Sequence, residues 1–221
     1  MNWLLTWDYP DLVFFVYCIL FTVEKNKARE LIEYDLTKGL SPSNALRPII
    51  REFTQMFEGP IPLHKGQHVI TKGDSHKNLF FILDGVIAEI GRDEQGGPYI
   101  PSAYESLQWC TNMETMLTGK KAQQSYVCLT PTLIMQVNAS VIEELALQAG
   151  KDELVFILNQ RFLNHVRSHF FRLLHNSPKQ HYAWMKENAP LSLQAFTRDQ
   201  LAAHLGIGRA TLFRMLKTKG S

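Results

Sequence analysis

Apolar residues in this chain change their spacing several times, and each change marks a new kind of element. Over residues 25–57 they recur at intervals of three and four: Ala28, Leu31, Ile32 and Leu36, then Leu46, Ile49, Ile50, Phe53 and Phe57. A break falls near Gly39 to Ser43, so the spacing predicts two successive helices with one apolar side each. From Pro60 the pattern turns to short runs at 69–70, 79–83, 86–90, 126–129 and 133–137, punctuated by Gly66, Gly73 and Gly85. Many short strands at this spacing predict a barrel or jelly roll. Helical spacing returns from about Val141, where Leu154, Leu158, Phe162, Val166, Phe170, Leu173 and Leu174 make a long stripe. That apolar face is wider than a surface helix needs, so one side is expected on the barrel and the other on a partner chain. Pro178 stops the helix, and Tyr182, Trp184 and Met185 open a further domain.

The final stretch, TRDQLAAHLGIGRATLFRMLKTKG at 197–220, meets the demands of two helices crossing through a short turn. Ala202 is the small residue needed where the helices cross. Gly206, four residues on, suits a left-handed turn. Leu201, Leu205, Ile207, Leu212 and Met215 would fill the angle between the helices, and Thr197 with Gln200 makes a capping box. The outward positions of the second helix carry Arg209, Thr211 and Arg214, donors suited to phosphates and base edges.

Charge sharpens this picture. The 23 Lys and Arg nearly balance 21 Asp and Glu, for a net charge of +2, so the molecule is no general polycation. The basic excess is local, because Arg198, Arg209, Arg214, Lys217 and Lys219 face only Asp199. Double-stranded DNA is therefore the predicted partner, contacted by Arg198, Arg209, Thr211, Arg214, Lys217 and Lys219.

Composition sets limits elsewhere. The 221 residues, 45% apolar, are ample for a globular core. Cys18, Cys110 and Cys128 lack CxxC spacing and cannot alone hold a four-thiolate iron–sulfur cluster or zinc. A sparse, odd cysteine count fits buried free thiols in a reducing cytoplasm. Residues 12–23, LVFFVYCILFTV, are too few for a span of about 20 residues, and no signal-peptide pattern accompanies them. Lys25, Lys27 and Arg29 behind them keep membrane association open beside a packing helix.

The search for chemistry gives little. No GxSxG, P-loop or dinucleotide fingerprint occurs, and Asp93 with Glu94 reads as a loop pair. His165 and His169 lie one helical turn apart without a third ligand, and His64, His68 and His76 fall on predicted strands as surface histidines. Trp109, Cys110 and Met113 suggest an apolar lining, more often core than pocket. No catalytic residue, metal site or cofactor is expected.

The stretch HKGQHVITKGDSHKNLFFILDGVI sets three glycines at the spacing of a cyclic-nucleotide-binding type of β-roll. Roll, long helix and terminal helix-turn-helix, in that order, resemble the CRP/FNR family of bacterial transcription regulators from Ala45 to Gly220. The resemblance implies a two-fold dimer through the long helix, with two recognition helices one DNA turn apart. It also implies base and phosphate contacts by Arg209 and Arg214. Where the family often has an acid after the first arginine, this chain has Ala210, so its operator should differ.

Two departures follow. The family's phosphate cassette pairs Gly-Glu with an arginine, whereas CTNMETMLTGKKAQQSYVCL has Met113 before Glu114 and only Lys120 and Lys121 as cations. Glu114, Lys120 and Lys121 are the candidate effector residues, tight cAMP binding is not expected, and the cysteine count excludes the iron–sulfur subset. The family's β-hairpin wing has no counterpart before Ser221, which predicts a missing or truncated wing and weaker phosphate grip.

The expected fold is α+β: an N-terminal apolar and helical extension (1–44), a jelly-roll-like β-roll (45–140), a long dimerisation helix region (141–176) and a helix-turn-helix domain (177–221). The expected function is a dimeric, sequence-specific, cytoplasmic DNA-binding regulator with a degenerate roll and an unknown small-molecule effector, if any. The alternative is a cupin-like small-molecule binder or enzyme with a helical cap. Against it stands the lack of an inward His/His/Glu set on the strands.

Overall fold

The computed structural model describes residues 25–94, 96–147 and 152–217. Two helices come first, α1 (Lys25–Thr37) and α2 (Leu46–Gln55). The strands follow: β1 (Glu58–Leu63), β2 (His68–Ile70), β3 (Asn78–Asp84), β4 (Val86–Arg92), β5 (Pro98–Glu105), β6 (Trp109–Cys110), β7 (Ser125–Cys128) and β8 (Thr132–Asn138). A short helix, α3 (Met113–Thr118), lies between β6 and β7. The chain then runs through α4 (Ala139–Ala146), α5 (Asp152–His175), α6 (Pro178–Asn188), α7 (Pro190–Ala195), α8 (Arg198–His204) and α9 (Arg209–Lys217).

The strands pair antiparallel in two four-stranded sheets, β1-β8-β3-β6 and β2-β7-β4-β5. Successive side chains on a strand point to opposite faces, and here both faces of both sheets are covered. On β3, Leu79, Phe81 and Leu83 pack with Ile32, Phe53 and Leu154 from the N-terminal helices and α5. Phe80 and Ile82 point the other way, into the roll, where they meet Ile87, Tyr104, Tyr126 and Ile134. On β4, Ile87 joins that interior while Val86 and Ala88 face outward onto Met185, Phe196, Leu201 and Leu205. The result is four layers: helices, sheet, sheet, helices.

The helical N-terminal extension is present and built into the core. Ala28, Ile32 and Leu36, four residues apart, are at most 1% exposed. The Arg29 guanidinium donates to the Gln55 backbone carbonyl and to its side-chain amide oxygen, tying α1 to the end of α2. Residues 12–23 lie outside the described residues. Trp109 donates from Nε1 to Asp35 on α1 at 2.8 Å, while its neighbour Cys110 faces the roll interior. The expected common apolar lining of Trp109 and Cys110 is therefore split between two cores by strand alternation.

Strand β5 has no counterpart among the predicted strands. Pro98 and Pro101 argue against a central strand, and β5 is an edge, where a missing N–H removes no ladder bond. The register shifts between Glu89 and Gly91, placing an irregularity opposite Ile100 and Pro101. The break between α5 and α6 falls where Pro178 suggested. Ser177 caps α6 in a capping box with Gln180, and Pro178 takes the first helical position. Among the described residues no helix is long and apolar enough to cross a membrane.

Candidate nucleic-acid interface

The C-terminal pair of helices is specified at each end by local chemistry. The Thr197 side chain accepts the Gln200 backbone N–H, and the Gln200 side chain accepts that of Thr197, so both halves of the capping box form. Helix α8 then ends in a paired motif, with Gly206 N–H donating to the Ala203 carbonyl and Ile207 N–H to that of Ala202. Gly206 at φ +67° supplies the left-handed residue this motif needs. Leu201, Ala202, Leu205 and Leu212 are buried, with Ile207 and Met215 packed against them, which fixes the angle between α8 and α9.

The other side of α9 is open. Arg209, Ala210, Thr211, Phe213, Arg214 and Lys217 are all exposed, as is Arg198 at the start of α8. Arg209 pairs with Asp199 (Nε to Oδ1, 3.3 Å), with both side chains more than 60% exposed. Such a surface pair contributes little and exchanges readily for a phosphate. Arg214 donates to the Thr211 hydroxyl at 3.3 Å, holding two donors one turn apart on one surface. Arg198, Arg209, Arg214 and Lys217 stand against the single carboxylate Asp199, and Lys219 lies outside the described residues. Phe213, 42% exposed and 5.7 Å below the Arg209 guanidinium, is a member of this surface that charge-based reading passes over.

The inner side of the same helices is docked on the roll. His204, 5% exposed, sets Nδ1 3.0 Å from the Ile100 carbonyl, in the irregular stretch of β5. A carbonyl can only accept, so this ring nitrogen carries the proton. The Ser192 backbone N–H donates to the Glu105 carboxylate at 2.6 Å, across 87 residues of sequence. The Arg172 guanidinium lies 3.6 Å over the Trp184 ring. His181, packed among Trp184 and His204, is pushed down to about pH 4 by burial and then by the Arg172 charge. Sequence reading missed His204, Glu105 and Arg172, whose partners are distant in the chain.

The candidate effector residues sit elsewhere. Glu114 and Lys120 form an ion pair of 3.0 Å on the surface, both more than half exposed, and Lys121 is exposed. The roll interior is filled instead by the stacked rings of Tyr104 and Tyr126, 6.1 Å apart, with Cys110, Cys128 and Ile134. Glu89 faces this interior, and burial raises it to about 7 against the opposing hydrogen bond from Tyr126. Cys110 and Cys128 are buried free thiols raised by the same desolvation, and Cys18 lies outside the described residues.

His64 and His68 are exposed and His76 is half-buried. The side chains of Phe162, His165, Val166 and His169 lie outside the described residues. Among those described, no group of three His, Cys, Asp or Glu is placed to hold a metal ion.

No protein-family model and no curated protein sequence matches the chain. Solved structures do. One is a cyclic nucleotide-binding domain from Methylobacillus flagellatus, at 18% identity over 67% of this chain and 84% of that one, with a TM-score of 0.58. Another is the c-di-GMP-responsive global regulator of Xanthomonas campestris, at 14% identity, covering 78% and 90%, with a TM-score of 0.57. A third is a CRP-family transcriptional regulator from Thermus thermophilus, at 12% identity, covering 72% and 83%, with a TM-score of 0.56. At these identities the likeness establishes the fold: a roll of the cyclic-nucleotide-binding type joined to helices in the order seen in CRP-like regulators.

Proposed function

We propose that the protein is a homodimeric, sequence-specific DNA-binding transcription regulator that acts in the bacterial cytoplasm. The observation that carries this reading is the outward face of α9. Its cations and hydroxyl stand clear of the roll while the opposite face packs inward through buried Leu212 and partly buried Met215 and Leu216. Arg209 and Arg214 are the base and phosphate contacts in this proposal, with Arg198, Thr211, Lys217 and Lys219 beside them.

Dimerisation is supported by α5. Leu154 and Leu158 turn inward to the core, and Arg161 donates to the Asp35 carbonyl on that same side. Phe156, Leu163 and Phe170 are each more than half exposed and recur every seven residues, with Leu174 at 77% beside them. That repeat is the seam of a two-helix coiled coil, so a second copy of the chain is the proposed occupant. Two α9 helices would then be presented about 34 Å apart, one DNA turn. The roll is a sensor that has lost its cyclic-nucleotide cassette, since Glu114 and Lys120 neutralise each other on the surface.

The cupin-like alternative is not favoured, because the solved structures of like fold are regulators and cyclic-nucleotide-binding domains. Binding of the full chain to genomic DNA fragments under a salt titration tests the proposal. Affinity that falls steeply with salt and selects particular fragments is the expected result. Unmeasurable binding to every duplex at low salt would overturn it. Sedimentation should give twice the 25.4 kDa chain mass, and Phe170→Glu should return it to monomer.

A further inference from the structure

The last turns of α5 pass between the roll and the C-terminal helices, and the packing there is incomplete. A cavity of about 340 Å³ remains, walled by Glu105 and Gln108 from the roll, Arg172 from α5, and Trp184, Asn188 and Ser192 from the C-terminal helices. Oγ of Ser192 and Nε of Arg172 are sealed behind these walls without a hydrogen-bond partner among the described residues, so the cavity meets Arg172 through its terminal nitrogens, for which the described residues supply no hydrogen bond.

The chemistry of the walls says what the occupant carries. The Trp184 ring covers the flat face of the Arg172 guanidinium, which fixes its plane and leaves its N–H edge for bidentate pairing. No carboxylate of the described residues pairs with it within 4 Å. Glu105 already accepts the Ser192 N–H with one oxygen, and a carboxylate keeps further lone pairs for a donor. A carboxylate on the same cavity disfavours a doubly charged phosphate and favours a singly charged, planar carboxylate that also brings a donor. The volume is at the low end for ligand sites, which fits a metabolite of amino-acid size.

We propose that this cavity binds a small carboxylate bearing an amine or hydroxyl, with the carboxylate on Arg172 and the donor on Glu105. The site is separate from the roll interior and from the region of Glu114. Because its walls come from the roll, α5 and the C-terminal helices, an occupant bridges all three. Binding itself does not rest on the DNA-binding reading, and either can fail alone.

Isothermal titration of the full chain with the standard α-amino acids, and separately with lactate and malate, tests it up to about 10 mM, beyond the millimolar range expected of a few charge-assisted bonds. Saturable binding by at least one probe is expected, weakened at least tenfold by Arg172→Lys and several-fold by Glu105→Gln. An amino acid that binds where its hydroxy analogue does not assigns the donor as an ammonium; the reverse assigns a hydroxyl. If Arg172→Lys loses its native circular dichroism, Glu105→Gln decides, since it keeps the size and the oxygen that accepts the Ser192 N–H and removes only the charge. No saturable binding by any probe, or equal binding by wild type and the folded variants, overturns the proposal.

Discussion

The two sheets of the roll are covered on their outer faces by unlike surfaces. The β3 side meets α1, α2 and α5 through large rings set edge to face: Phe53 on Phe57 at 5.2 Å, Phe57 on Trp109 at 5.9 Å, and Phe81 on Trp109 at 4.9 Å. The β4 side meets the C-terminal helices through small and branched residues, Val86, Ala88, Ile100 and Leu129. Its polar ties run from His204 to Ile100 and from Ser192 to Glu105, and it encloses a cavity. The first is a core in composition and packing. The second has the buried polar ties and bordering cavity of an interface between domains, which separates and re-forms more easily. In the regulator proposed above, that asymmetry would let a sensing layer stay intact while a DNA-binding layer shifts.

The largest expected effect lies on the core side. Phe81→Ala, at a residue 1% exposed, should cost about 3–5 kcal/mol in global stability, read from urea unfolding. On the other side Ile100→Ala should cost about 2–4 kcal/mol, and hydrogen exchange should find the loss mainly in α6 to α9. Equal loss of protection across all four layers would erase the distinction between the two surfaces. Arg214→Ala should leave unfolding within about 0.5 kcal/mol yet weaken operator binding by about 1–3 kcal/mol, seen by fluorescence anisotropy. Gly206→Ala should cost about 1 kcal/mol from its φ alone, since a Cβ there meets nothing within 4 Å.

A pH dependence of opposite sign also separates the two regions. Glu89 holds its proton up to about pH 7 in the fold but only to about 4.5 when unfolded, so its contribution is greatest below 4.5 and declines as pH rises to 7. His181 is lowered to about 4 from 6.5, so its contribution is complete above 6.5 and is lost as pH falls towards 4. Acidification from pH 7 to 5 should therefore loosen the C-terminal helices relative to the roll. Hydrogen exchange corrected for its intrinsic pH dependence reads this directly, and Glu89→Gln should flatten the roll's share.

What could be read from sequence was what is locally encoded. Thr197, Gln200, Ala202 and Gly206 act within ten residues of one another, and each does in the structure what its chemistry required. Strands β3, β4 and β8 were legible because their apolar runs are longer than a turn can hold. Strand β5 was not, because its prolines hide an edge strand. The docking of the C-terminal helices and its cavity depend on pairs such as Glu105 with Ser192 and Ile100 with His204, 87 and 104 residues apart. No local period encodes such partners. One trace was there: VIAEI on β4 is apolar at consecutive positions, which an antiparallel strand shows only when its outer face is also covered.

That doubly covered strand also bears on how the protein is made. Val86, Ala88, Ile100 and Leu129 belong to a roll whose strands are all synthesised by Asn138, whereas Leu201, Leu205 and Leu212, which cover them, come only after the long helix α5 and the helices α6 and α7. From the moment the roll closes until translation reaches α9, its second sheet presents an uncovered apolar face. A ribosome stalled or a message cut within that interval releases a folded roll with an adhesive side, a natural client for chaperones and proteases.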